Sequence, residues 1–237
     1  MKRYVVYLTV LLLSINFVKA QDYDFRSPFD FKMRLSGTFA ELRSNHFHSG
    51  IDIKTQGSVG HPIYAIADGW VSRVKVRAYG FGHALYLSHS NGHTSVYGHL
   101  QRFSGALAKE VESRQYANES FTVQFYPSRD KYPVKKGDLI GYSGNSGSSG
   151  GPHLHFEIRD GASQKPSNAL NYGYDVADNI APLIQRLRFY PVGKGAAVDG
   201  QPNAQSMYVF KRGKNIKPKT SHIQVSGKIA FGVQTYD

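Results

Sequence analysis

Gly150-Gly151-Pro152-His153-Leu154-His155-Phe156-Glu157-Ile158-Arg159 is the stretch that decides how this chain folds. Side chains two apart along a strand point to the same side. Leu154, Phe156 and Ile158 therefore enter a core, while His153, His155, Glu157 and Arg159 share the opposite face. Such a strand belongs to a sheet with one dry face and one polar face. Two imidazoles about 7 Å apart on one strand can serve a single metal site in two ways. One binds the ion, and the other faces the water or substrate beside it. The glycine-serine loop from Gly144 to Gly151 just before the strand lets backbone approach the groove closely. It lacks the lysine that a phosphate-binding loop needs after its last glycine, which excludes a nucleotide site of that kind.

Moving outward, the same period of two recurs. Val74 and Val76 alternate with Arg73, Lys75 and Arg77, and Leu85 and Leu87 alternate with Tyr86 and Ser88. Turn pairs such as Asp68-Gly69, Asn91-Gly92 and Gly137-Asp138 separate these runs. The pattern predicts an all-β, antiparallel sheet domain over 21–175, with its core in 36–172. One helix is expected, Ala106 to Tyr116, inside a polar stretch that reads as an insertion. Beyond Asn171 the density of glycine and histidine falls. A small β-rich unit is expected over 180–237, with strand-like runs such as Lys228 to Gln234 and a basic loop around Lys211 to Lys219. Its last strand-like run almost reaches the terminus, as in a fragment of a longer protein.

The beginning of the chain has another character. Lys2 and Arg3 precede an apolar run from Tyr4 to about Phe17, followed by Val18-Lys19-Ala20. A basic start, a short apolar run and small residues three apart form a secretory signal, with cleavage expected after Ala20. The run is shorter than the ~20 residues that a membrane span needs. No later segment is apolar enough to span a bilayer, so the mature protein is expected to be exported, periplasmic or secreted. The absence of cysteine excludes a disulfide framework, thiol chemistry and a lipid anchor. Of the formal charge of +12, Lys2, Arg3 and Lys19 leave with the signal. The remainder suits an anionic envelope polymer. Nucleic acid is not the expected partner, because the chain is exported and its aromatics lie in strand cores rather than on a stacking platform.

Two further histidine motifs stand out among ten histidines: His46-Phe47-His48-Ser49-Gly50-Ile51-Asp52, and Tyr97-Gly98-His99-Leu100. On a flat strand His48 and Asp52 would lie about 13 Å apart, too far to share one ion. Ser49-Gly50 permits the bend that brings them together. One imidazole, one carboxylate and a second imidazole form a three-ligand set typical of catalytic zinc, with a fourth position left for water.

Taken together, His48-Ser-Gly-Ile-Asp52, Ala65-Ile-Ala-Asp-Gly69, Tyr97-Gly-His-Leu100, Lys136-Gly-Asp-Leu-Ile-Gly141, Ser146-Gly-Ser-Ser-Gly150 and Pro152-His-Leu-His-Phe-Glu157 resemble the lysostaphin-type, or LytM-domain, zinc metallopeptidases. The resemblance runs from about His46 to Pro166. It implies an open groove with Zn2+ on its floor, held by His48, Asp52 and His155. It makes His99 and His153 the unligated catalytic histidines, with the choice of base open between them. It implies a peptidoglycan endopeptidase acting on peptide stems, with zinc-bound water as nucleophile. The alternative within the family is a non-catalytic LytM-like activator of another cell-wall hydrolase, recognised by missing ligands. An envelope-binding module dominated by the last unit is the other alternative.

His46 has no counterpart in the ligand set, and its strand parity with His48 suggests a supporting or substrate-facing role. His61, His83, His89, His93 and His222 match no catalytic position. Three departures from the family pattern stand out. Ser104 to Tyr132 is longer than in minimal members, Asn145 replaces a common threonine, and no tyrosine can be assigned to the oxyanion.

Overall fold

The computed structural model describes residues 23–178, 182–212, 215–218 and 222–236. The expected signal, residues 1–20, lies outside them. The described residues fall into two units that part between Ala177 and Asp178.

The strands of the first unit are β1 (Leu35–Gly37), β2 (Ile51–Lys54), β3 (Pro62–Tyr64), β4 (Gly69–Val76), β5 (His83–His89), β6 (His93–Leu100) and β7 (Arg102–Phe103). Helix α1 (Gly105–Ala117) follows, then β8 (Val123–Phe125), β9 (Pro133–Val134), β10 (Leu139–Tyr142), β11 (His153–Asp160) and β12 (Pro166–Ser167). The large sheet runs β1-β2-β11-β6-β5-β4-β8, with β12 on β11 and β9 on β4. A small sheet, β3-β10-β7, supplies Ile63, Ile140 and Phe103 to the same core. All the pairings are antiparallel, as the period of two requires.

The alternation on β11 is realised in the packing. Leu154, Phe156 and Ile158 are fully buried in a core with Ile51 and Ile53 of β2, Leu85 and Leu87 of β5, and Tyr97 of β6. Burying a side chain of this size contributes roughly 1.5–3 kcal/mol, so this shared face is what holds the site's strands in register. Helix α1 exceeds its expected bounds by one residue at each end. Its Leu107 and Val111, with Val123 and Phe125 of β8, join the core, so the polar insertion is anchored from beneath. Phe29 and Met33 are also buried core members, which carries the core upstream of the expected start at residue 36. At the other end Tyr174 packs on the core, and Ala177 N–H donates to Met33 O at 2.8 Å.

The second unit is a four-stranded antiparallel sheet, β15-β14-β13-β16, formed by β13 (Leu183–Val198), β14 (Gln205–Arg212), β15 (Asn215–Pro218) and β16 (Val225–Tyr236). The basic segment expected as a loop around Lys211 to Lys219 instead lies largely in two paired strands, with Lys211 opposite Ile216 and Arg212 opposite Asn215. Charged residues and proline suit an edge strand, where they discourage pairing with another chain. This is the position β15 occupies.

A chain ending at Ala177 should fold and melt cooperatively, because the core described above lies wholly before that point. Circular dichroism of the shortened protein checks this. Loss of the transition would show that residues 178–237 complete the fold.

Candidate metal centre and active site

Strand β11 carries the centre between two neighbours. His155 lies opposite Asp52 on β2 and opposite Gly98 on β6. Asp52 falls between Ile51 and Ile53, which enter the core, so its carboxylate faces outward beside His155. His48 reaches the same point because the chain bends before β2. A Cβ at Gly50 would lie 2.3 Å from the carbonyl oxygen of Phe156, so glycine alone lets the backbone pass β11 this closely. Gly98, without a side chain, leaves room for Phe81 to stack on the His155 ring at 4.5 Å.

Hydrogen bonding fixes which nitrogen each ring offers. A carbonyl oxygen can only accept, so a ring nitrogen bound to one carries the proton. His48 Nδ1 donates to Thr38 O at 2.8 Å, which leaves the lone pair on Nε2. His155 Nε2 donates to the carboxylate of Glu157 at 2.8 Å, which leaves the lone pair on Nδ1. These two lone pairs meet. His48 Nε2 and His155 Nδ1 are 3.0 Å apart, and Asp52 Oδ1 lies 3.1 and 3.0 Å from them respectively. His48, Asp52 and His155 are all buried. Three electron-rich atoms this close repel one another unless a cation sits among them. Two imidazole nitrogens and one carboxylate oxygen suit a catalytic metal ion with an open fourth position. The residues present therefore fit a metal.

The electrostatics point the same way. Burial opposes charge on Asp52, but positive charge at the adjoining His155 and His48 nitrogens, carried as protons when no cation sits among them, outweighs it and holds its carboxyl well below the usual range. Burial likewise opposes charge on His155, yet Asp52 and Glu157 outweigh it and raise that ring. Glu157 is itself fully buried. Burial would raise its carboxyl, but His155 and Arg159 bring it down to about 2. Ser49 Oγ donates to it at 2.6 Å, and Arg159 Nε also donates to it. The other oxygen of Asp52 accepts from Arg43 Nη2 at 2.8 Å, which leaves Oδ1 for the centre.

His153 and His99 flank this tripod. His153 Nδ1 donates to Gly151 O at 2.8 Å, with Ser149 Oγ at 3.1 Å. Its Nε2 lies 3.6 Å from Asp52 Oδ1, farther than either His48 or His155. His99 Nδ1 donates to Ser146 O at 2.8 Å, and its ring stands 4.7 Å from that of His153. Burial brings the His99 imidazole down to about 4, so it is neutral at pH 7. His99 has φ +59°, a strained conformation for a non-glycine residue and one that concentrates at functional sites. The loop beneath it is pinned. Gly147 has φ +73° and passes so close to the 80–82 turn that an added Cβ would lie 2.3 Å from Gly80 O. Asn145 is exposed, so the departure there does not touch the centre.

The remaining histidines of the first unit stand apart from the tripod. His46 does not share a strand with His48. It lies exposed in the turn between Leu42 and Phe47, where its Nδ1 meets Asn45 Oδ1. The chain reverses there through an Arg43 N–H to His46 O bond, so parity along a continuous strand does not apply. His61 meets Ser58, His83 meets Leu100 O, and His89 bridges Asp68 O and Ser95. His93 packs among Tyr23, Phe25 and Tyr172, and His222 is exposed. Arg43 and Thr38 support the tripod without any signal in the sequence. An arginine nine residues from its carboxylate, or a main-chain oxygen, carries no recognisable spacing.

Because Glu157 sets the tautomer of His155, Glu157→Ala should weaken metal binding roughly 10- to 100-fold. Chelator competition on the folded protein measures this. Glu157→Gln should lose less, since its amide oxygen still accepts from His155 Nε2.

Known proteins resemble this chain in sequence. The sequence profile of peptidase family M23 matches residues 46–169. The DD-carboxypeptidase/endopeptidase Mpg of Neisseria meningitidis serogroup B is 32% identical over 133 residues, 56% of this chain and 24% of that protein. The peptidoglycan DD-endopeptidase ShyC of Vibrio cholerae is 33% identical over 139 residues, 56% of this chain and 26% of that protein. The chain thus spans about a quarter of the length of these relatives. Among solved structures, the catalytic domain of the prophage-encoded M23 protein EnpA from Enterococcus faecalis aligns with 63% of this chain and 98% of its own, at 24% identity and TM-score 0.46. With the family profile spanning more than half of its residues, including all three residues of the tripod and both flanking histidines, this chain belongs to peptidase family M23.

Proposed function

We propose that the chain is an exported zinc endopeptidase that cleaves peptide cross-links of peptidoglycan. The observation that carries the reading is the convergence of His48 Nε2, Asp52 Oδ1 and His155 Nδ1 within 3.1 Å of one another, each ring's other nitrogen being committed as a donor. When bound, zinc polarises the scissile carbonyl and brings the pKa of coordinated water toward ~7.

The protein's own part is positioning and proton transfer. Thr38 O and Glu157 hold the His48 and His155 rings in the tautomers that face the centre, and Arg43 orients Asp52. His153 Nε2, its ring fixed by Gly151 O, accepts the proton of the attacking water. His99 Nε2 is the second proton station. Neutral at rest, it receives the proton that His153 has taken from the water, across rings 4.7 Å apart, and passes it to the leaving amine, as a weakly basic imidazole does readily.

The bond cut is proposed to be the D-alanyl bond of a direct cross-link. The names of the Mpg and ShyC relatives specify DD activity, and glycine-rich loops bordering the groove admit a compact D-alanyl backbone. Digestion of purified directly cross-linked and glycine-bridged walls, followed by mass spectrometry, tests this. Release of a free diamino-acid side amine is expected. New glycine amino termini alone would defeat the bond assignment. No new termini from zinc-loaded protein would defeat the peptidase reading and favour a non-catalytic activator.

A further inference from the structure

Beside the metal centre lies a cleft of about 860 Å³ whose lining includes Lys32, Arg34, Arg43 and Lys54 together with Asp52 and His153. Four cations against one carboxylate is an unusual wall for a groove meant to hold a neutral peptide. Two of the cations are engaged: Arg43 holds Asp52 at 2.8 Å, and Lys32 pairs with the exposed Asp175 at 3.0 Å. Arg34 and Lys54 are exposed, and neither has a carboxylate partner among the described residues.

Their placement is set by the sheet. Lys54 is directly opposite His153 and two residues from Asp52, on the face that carries the centre. Lys54 N–H donates to Arg34 O at 2.8 Å, and the adjoining pair, Leu35 opposite Ile53, turns its side chains inward. Arg34 and Lys54 therefore stand side by side on the polar face. Two unneutralised cations at this separation repel each other, and an anion between them relieves the repulsion.

We infer that Arg34 and Lys54 form a subsite for a carboxylate of the peptide substrate, one or two residues from the scissile bond. The inference rests on the peptidase reading of the metal centre and names the class of substrate it takes: an acidic peptide. Two residues of strand span about 7 Å, so an extended peptide with its scissile carbonyl at the tripod brings a carboxylate within reach of both cations. Arginine adds a planar fork that matches a carboxylate, and lysine adds a compact charge.

The test uses two fluorescein-labelled hexapeptides that contain a D-alanyl bond. One carries a side-chain carboxylate two residues from that bond, and its twin carries a carboxamide there. Binding is measured by fluorescence polarisation on the full chain stripped of metal, and hydrolysis is followed separately on the zinc-loaded protein. The acidic peptide should bind about 10-fold tighter at low ionic strength, and this advantage should shrink at 0.5 M salt, where a Debye length of a few ångströms screens exposed charge, about 3 Å at 1 M. In the Arg34→Gln/Lys54→Gln double variant the advantage should fall to within about 2-fold, and Lys54→Glu should turn the preference toward the carboxamide. Equal binding of the twins to the unaltered protein, or an advantage that survives in the double variant, would overturn the subsite. Preferential binding without hydrolysis of either peptide would leave the subsite standing and defeat the peptidase reading. Hydrolysis of both twins with equal binding would do the reverse.

Discussion

His48→Ala, Asp52→Ala and His155→Ala should each yield a protein that no longer holds zinc at one ion per chain. The three donor atoms lie within 3.1 Å of one another, so removing any of them leaves two protein ligands where catalytic zinc ordinarily has three. The loss in affinity should exceed the roughly 10- to 100-fold that follows removal of a supporting partner. Elemental analysis after dialysis against a weak chelator reads the outcome. Full occupancy in two of the three variants would show that the ion sits elsewhere. Asp52→Ala has a second consequence, because Arg43 then loses the carboxylate that it holds at 2.8 Å. Asp52→Asn separates the two effects: it keeps an oxygen in place while removing the charge.

His153→Ala and His99→Ala should retain zinc and lose about 10²- to 10⁴-fold in kcat, the usual worth of a positioned proton-transfer group. Neither ring is part of the tripod, and each is fixed by a main-chain oxygen at 2.8 Å, so their removal leaves His48, Asp52 and His155 supported. Zinc content and turnover measured on the same samples separate the roles. Turnover near that of the unaltered protein in both variants would remove the acid–base assignment. Zinc loss in His153→Ala would show that the two histidines of the His-Leu-His motif have exchanged places.

Much of this arrangement was legible in the residues. The alternation from His153 to Ile158 gave the core face and the polar face of β11, and the placement of α1 was correct to within a residue at each end. The motifs around His48, His99 and His155 identified the side chains that the fold brings together. What stayed hidden has physical reasons. Phe29 and Met33 enter the core from an irregular segment whose residues follow no period. His46 shares parity with His48 in sequence, but the chain turns between Leu42 and Phe47 and parity ends there. The carbonyls of Thr38, Ser146 and Gly151 do as much to orient the site as Glu157 does, and a carbonyl is the same at every residue.

Reliance on main-chain oxygen determines how such a site tolerates change. Three of the four imidazoles in the groove rest on backbone oxygen, and His155 alone depends on a side chain, Glu157. Point substitution cannot delete a carbonyl. The side chains of the segments that contribute Thr38, Ser146 and Gly151 can therefore vary while the rings keep their protons in place, provided the backbone keeps its path. The exposed Asn145, next to Ser146, is a position open to such variation. Loops that border the groove can thus be retuned toward a new peptide without disturbing the chemistry at its floor. Among the groups that orient the rings, mutational fragility is concentrated instead at Glu157, buried beside His155.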